Sequence, residues 1–143
     1  MMFIFYIKGM SLLEPFFASG FVLKSQATGD YMNRSDSGLM VGATKNIDSK
    51  LTYEKVNDFR IHLKASNGFY LSRADNNWIQ ADKETPDESS TFRVYNNDGM
   101  LSIKATTGKF VTRCCGGNII FNAGQHVINV WTHFLVETFD LAP

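Results

Sequence analysis

Apolar residues in this chain recur at every second position over short runs, and clusters of Gly, Asn, Asp and Ser separate the runs. Phe21 and Leu23 alternate with Val22 and Lys24, and Ile61 with Leu63 and Leu101 with Ile103 repeat the pattern. This is the period of a strand with one buried face. Further short strands are expected at Tyr31 to Arg34, Met40 to Ala43, Leu51 to Val56, Tyr70 to Arg73, Trp78 to Ala81, Thr91 to Val94, Phe110 to Arg113, Ile119 to Ala123 and Trp131 to Val136. Ser66-Asn67-Gly68, Thr107-Gly108 and Asp98-Gly99 supply turns, and Pro86 keeps the Asp82 to Ser90 loop out of any central strand. The stretch Ser11 to Gly20 reads as a turn of helix or an irregular lead-in, because Pro15 opposes a long helix.

The runs form three copies of one unit. Lys24, Lys64 and Lys104 start the match, 40 residues apart each time (64−24 and 104−64). A glycine follows (Gly29, Gly68, Gly108), then an aromatic (Tyr31, Tyr70, Phe110), an arginine (Arg34, Arg73, Arg113), an alanine (Ala43, Ala81, Ala123) and a closing aromatic (Tyr53, Phe92, Phe134). Six ordered coincidences in three copies predict an all-β chain, a β-trefoil with three four-stranded repeats and pseudo-three-fold symmetry. Closure of that kind removes sheet edges, which an open stack of repeats would leave exposed. The expected organisation is a lead-in over residues 1–19 and a single domain over 20–143, with repeats at about 21–58, 59–98 and 99–139.

Composition narrows the function. Fourteen basic residues balance fourteen acidic ones, so total charge does not steer the chain toward nucleic acid or an anionic membrane. Cys114 and Cys115 are adjacent, and neighbours on a strand point to opposite faces, so a reduced, intracellular protein is expected. MMFIFYIKGM is too short for a membrane span of roughly 20 residues and has no basic residues before it. It is read as a disordered or loosely packed lead-in rather than a targeting signal.

Counting back from each repeat alanine places Val41, Ile79 and Phe121 on the inward face, and Met40, Trp78 and Ile120 on the outward face with Gly42, Gln80 and Asn122. The outward Trp78 follows Asp75, Asn76 and Asn77. An aromatic platform beside amides suits a neutral sugar, whose C–H face packs on a ring and whose hydroxyls need polar partners. Equally, all three positions would be apolar if hairpins cap the barrel there. The recurring arginines and lysines are expected to be structural. His62, His126 and His133 stand apart with no Cys-x-x-Cys, so no metal or other cofactor is expected. Asp82, Glu84, Asp87 and Glu88 read as a solvated acidic turn, and no nucleophile and base are paired, so the chain is not expected to be an enzyme.

The second unit, with IHLKASNGFYLSR, WIQA and PDE, resembles the amaranthin-like agglutinin domain, a family of plant lectins. FVLKSQATGDYMNR and LSIKATTGKFVTR are similar to that family's repeats in a more general way, over about residues 20 to 137. The LK-x-x-NG-x-Y-L pattern is also similar to fascin repeats. The resemblance implies a non-catalytic, metal-free trefoil, cytoplasmic or nucleocytoplasmic, that binds galactose or N-acetylgalactosamine-type glycans such as the T-antigen disaccharide. It aligns part of the sugar site with Asn76, Asn77 and Trp78, and the neighbouring Asp75 and Gln80 complete the candidate carbohydrate-binding set. It departs from the family pattern in carrying Asn77 where an aromatic precedes the tryptophan. Because the family's sugar lies between domains of two subunits, a homodimer or a fused further domain is implied, with glycans or glycoproteins as partners. The alternative is a protein-interaction trefoil: the fascin likeness implies association with actin, and a trefoil could instead inhibit a protease by presenting a loop such as Asp82 to Ser90.

Overall fold

A computed structural model describes residues 9–113 and 120–140 of the chain. Cys114, Cys115 and the first eight residues of the apolar amino terminus lie outside the described residues. A four-residue helix, α1 (Met10–Leu13), runs into a 3-10 turn at Glu14–Phe16 with Pro15 in its first positions, where proline's missing N–H is no loss. Met10 and Leu13 are buried in the core and the helix packs on the eighth strand. Gly9 and Met10, at the end of the apolar segment, are thus packed rather than loose, and Ser11 to Gly20 holds the short turn of helix expected there.

Twelve strands follow among the described residues, four in each of three modules. The first module holds β1 (Phe21–Ser25), β2 (Tyr31–Arg34), β3 (Met40–Ala43) and β4 (Thr52–Lys55). The second holds β5 (Arg60–Lys64), β6 (Tyr70–Arg73), β7 (Ile79–Lys83) and β8 (Phe92–Asn97), and the third β9 (Met100–Ala105), β10 (Phe110–Arg113), β11 (Phe121–Gln125) and β12 (Phe134–Thr138). The first and last strands of the modules make a six-stranded barrel, pairing in the order β4, β5, β8, β9, β12, β1. Two backbone hydrogen bonds close it between Phe21 and Leu51, of 2.9 and 2.8 Å. The three inner hairpins, β2–β3, β6–β7 and β10–β11, leave the barrel and meet one another. The chain is a β-trefoil.

Register shows which residues are equivalent. Phe21 bridges Leu51, Ile61 pairs with Phe92, and Leu101 pairs with Phe134, so all six line one buried layer. The closing residue of the first module is thus Leu51 and not Tyr53, which falls where the others carry Val94 and Val136. Similarly Arg34, Arg73 and Arg113 pair with Met40, Ile79 and Phe121. Met40 is fully buried and Val41 only partly so, which reverses the inward and outward assignment expected in that module. Gly42 is accordingly the partner of Ala81 and Ala123, in place of Ala43. The reason is steric: a Cβ on Gly42 would lie 2.7 Å from Arg113 Nε and 2.9 Å from Asp30 Oδ2, and Arg113 Nη2 is ion-paired with that Oδ2 at 2.8 Å.

A second repeat runs through the three modules. Asn46, Asp87 and Asn129 each cap a 3-10 turn, accepting from the backbone N–H of Asp48, Ser89 and Trp131. The backbone N–H of each cap in turn donates to the buried hydroxyl of Ser49, Ser90 or Thr132. This reciprocal bonding is a capping box built with hydroxyls. It takes Trp131 out of the expected strand and into the turn before β12.

The repeated lysines lie over the aromatic of the next strand: Lys24 over Tyr31, Lys64 over Tyr70 and Lys104 over Phe110. Tyr70 donates to Glu54 at 2.8 Å, and Lys64 reaches the same carboxylate at 3.4 Å. The Tyr70 hydrogen bond, helped by Lys64, holds the Glu54 carboxyl below its usual range, while Glu54 raises both Tyr70 and Lys64. A lowered carboxyl supports the fold above its unfolded value and stops doing so as pH falls. A raised phenol or amine supports it below the unfolded value and stops as pH rises.

Two outcomes are expected. Phe92→Ala removes a fully buried ring and should lower stability by about 3–5 kcal/mol in urea titrations. In melting curves across pH, wild type should exceed Tyr70→Phe most near neutrality, with the gap closing below roughly pH 4 and above roughly pH 10.

Candidate functional site

The turn between β6 and β7 carries the residues expected at a sugar site. Arg73 ends β6, and Ala74 closes the turn by donating to Trp78 O at 2.8 Å while Asn77 N donates to Ala74 O at 2.8 Å. Asn76 Oδ1 accepts from Trp78 N at 3.1 Å, the side-chain mimic of a backbone turn that asparagine favours. Asn77 has φ +73°, in the left-handed region. Gly38, at the same place in the first module, has φ +91°. Glycine and asparagine are the residues that tolerate this conformation at least cost.

These turns hold the three hairpins together. Ala81 N donates to Gly38 O, and Ala123 N donates to Asn77 O, both at 2.7 Å. Around the pseudo-three-fold axis, Leu39 bridges Gln80, Trp78 bridges Asn122 and Ile120 bridges Val41. Leu39, Trp78 and Ile120 are therefore one position seen three times, and its backbone is a cap on the barrel. The backbone at this position is structural, and the Trp78 indole is 37% exposed.

Around the ring, Asp75 and Asn76 are exposed, while Asn77 and Gln80 are half-buried. The Asp75 carboxylate, the Asn77 and Gln80 amides, Asn76 Nδ2 and the indole N–H make no hydrogen bond to any described residue. They are acceptors and donors available to a ligand. The first and third modules present Leu39 and Ile120 at the ring's position, so no other hairpin has this combination. The turn is shallow and lines neither of two clefts, of about 250 and 260 Å³.

The other expected structural residues are placed as follows. Arg34 pairs with Asp48 at 3.0 Å, Arg73 donates to Ala74 O, and Arg113 is buried against Asp30. His62 Nδ1 lies 3.1 Å from Ser90 O, and His133 Nδ1 lies 3.1 Å from Gln26 Oε1. The Asp82 to Ser90 loop is pinned at both ends, by Ser72 donating to Asp82 and by the Asp87 cap, whose carboxylate Ser89 and Lys83 hold below its usual range. Among the described residues no group of three or more His, Cys, Asp and Glu could hold a metal, and no helix is long and apolar enough to cross a membrane. One cluster went unseen in the sequence: the 250 Å³ cleft is lined by Arg60, Arg93 and Lys104, which come from three different strands.

No family model matches the chain, and no curated protein matches it. Among solved structures it is similar to a designed three-fold symmetric protein, ThreeFoil, with TM-score 0.74 and 9% identity, over 83% of this chain and 98% of that one. A likeness at that identity concerns the fold, and it agrees with the three-module closure described above.

The left-handed turn residue gives a direct check. Asn77→Gly should leave thermal stability close to wild type, whereas Asn77→Val should lose about 1–2 kcal/mol in chemical denaturation, since a β-branched residue strains at positive φ.

Proposed function

We propose that this trefoil is a non-catalytic carbohydrate-binding module of the amaranthin-like kind, taking galactose or N-acetylgalactosamine-type glycans at the β6–β7 turn. The observation that supports it is the exposed Trp78 ring set among polar groups with no partner in the described protein. In this reading the indole stacks on the C–H face of the sugar. Asn77 and Gln80 hydrogen-bond its hydroxyls, Asp75 accepts from a hydroxyl pair, and Asn76 both forms the turn and offers Nδ2. The backbone bonds through Asn77 O and Trp78 N hold the platform rigid, so little order has to be imposed on binding. Small-molecule sites commonly bury roughly 70–90% of a drug-sized ligand's surface. A shallow turn covers less, so the reading includes a second contacting surface from another copy of the chain or a fused domain. Its expected location is cytoplasmic or nucleocytoplasmic.

A glycan array with wild type and Trp78→Ala tests the reading. Wild type should retain galactosyl or N-acetylgalactosaminyl glycans, and the variant should bind about 30-fold more weakly, the equivalent of ~2 kcal/mol for an aromatic anchor. Absence of any glycan binding by wild type removes the proposal. Sedimentation with and without a bound glycan should show the larger species with it.

A second reading is a protein-interaction trefoil, and one observation favours it. Val127, Ile128 and Val130, in the connection between β11 and β12, are exposed together at 61, 39 and 44%. Clustered exposed aliphatics commonly mark a protein contact. Filament co-sedimentation and a protease panel examine it, and retention of neither actin nor protease would leave the sugar reading alone.

A further inference from the structure

We propose that the junction between the second and third modules binds a tetrahedral oxyanion, sulfate or phosphate, either free or esterified to a sugar. Arg60, Arg93 and Lys104 stand side by side across β5, β8 and β9, Arg93 pairing with Arg60 on one side and Lys104 on the other. Like charges directly opposite each other on a sheet are destabilising. The other two junctions show that the barrel has no need of them. Where the second module meets the third with Arg93 opposite Lys104, the first meets the second with Thr52 opposite Lys64, and the third meets the first with Leu135 opposite Lys24. The place of Arg60, directly before Ile61, is taken by Gly20 before Phe21 and by Met100 before Leu101.

The same junction has lost its anion. Glu54 pairs with Lys64 and takes a hydrogen bond from Tyr70, and Glu137 takes one from Tyr31 at 2.9 Å. In the third copy of this arrangement Tyr95 replaces the glutamate and Phe110 replaces the tyrosine. The cations are therefore most numerous where the carboxylate is missing. No acidic residue lines the cleft, and none of the three cations has an ion pair with a described residue.

What holds them instead is aromatic. Arg93 Cζ lies 5.4 Å from the Phe59 ring and 5.3 Å from the Tyr95 ring. Lys104 Nζ lies 5.9 Å from Tyr95 and 5.5 Å from Phe110. Rings fix the two side chains without using their N–H groups, and Arg93 Nε is buried with no hydrogen-bond partner among the described residues. The nearby hydroxyls of Thr91 and Thr106 donate to Asp87 O and Glu88 O, so the donors offered to a ligand are the guanidinium and ammonium groups. Two cations held by rings, with the exposed Arg60 beside them, favour a multiply charged anion, and arginine's fork matches the oxygens of sulfate or phosphate. At about 250 Å³ the cleft equals roughly eight waters at ~30 Å³ each, enough for the anion and part of an attached sugar ring. The inference stands apart from the Trp78 turn, since an inorganic anion alone tests it.

The experiment titrates the full chain with sodium sulfate, sodium phosphate, galactose 6-sulfate and galactose, each against sodium chloride at matched ionic strength, and follows heat and melting temperature. Sulfate and phosphate should raise the melting temperature above the chloride control. Arg93→Thr and Arg60→Met, which copy residues already accommodated at the other junctions, should fold and bind the anions at least about tenfold more weakly. Stronger binding of galactose 6-sulfate than of inorganic sulfate identifies a sulfated sugar as the ligand, and equal or weaker binding identifies the free ion. The proposal is overturned if neither inorganic anion exceeds chloride, or if both variants bind as wild type does.

Discussion

Two hydrogen bonds between Phe21 and Leu51 close the barrel, and every other feature presupposes that closure. A module of four short strands buries one face only and cannot shield it alone. Once β4 reaches β1, the six barrel strands have neighbours on both sides, and Phe21, Leu51, Ile61, Phe92, Leu101 and Phe134 become a single layer. The hairpins can then lean together, with Met40, Ile79 and Phe121 beneath them. Their backbone bonds set the φ of Asn77, and through it the position of the Trp78 indole.

Three near-equivalent modules also give each residue two internal references. A side chain present in all three answers to the fold, as the repeated lysines over aromatic rings and the capped 3-10 turns do. A side chain present in one module, at a place where the others manage with something smaller or apolar, has a local reason. Trp78 beside Leu39 and Ile120, and Arg93 beside Thr52 and Leu135, are both of that second kind. They lie on different strands, one in a cap hairpin and one on the barrel wall.

The fold was legible because the modules share spacing, and spacing is what antiparallel hairpins require of a sequence. The exposure of Trp78 was legible for the same reason, since alternation along a strand assigns its face. Register within the first module was not. There the aromatic bulk sits at Tyr53, two residues past Leu51, whereas the other modules pair Phe92 with Val94 and Phe134 with Val136. Similarity of residue type pulled the comparison onto Tyr53 and Ala43. The recurring Asn46, Asp87 and Asn129 caps, each five residues ahead of the true layer residue, carry the signal that restores it. The Arg60, Arg93 and Lys104 cleft could not be read along the chain, because it exists only in strand pairings, one joining the two ends of the second module and one joining the second module to the third.

The missing methyl at Gly42 makes the order of the modules matter. Arg113 reaches across from the third module into space that only the first leaves open, and finds there Asp30, for which the other modules have Phe69 and Lys109. An ancestor or a design made from three identical copies could have the barrel and its caps, yet it would lack this lock and key between the last module and the first. Shuffling the modules would set a buried guanidinium against an alanine methyl. The chain has thus acquired a direction of assembly that its apparent symmetry conceals.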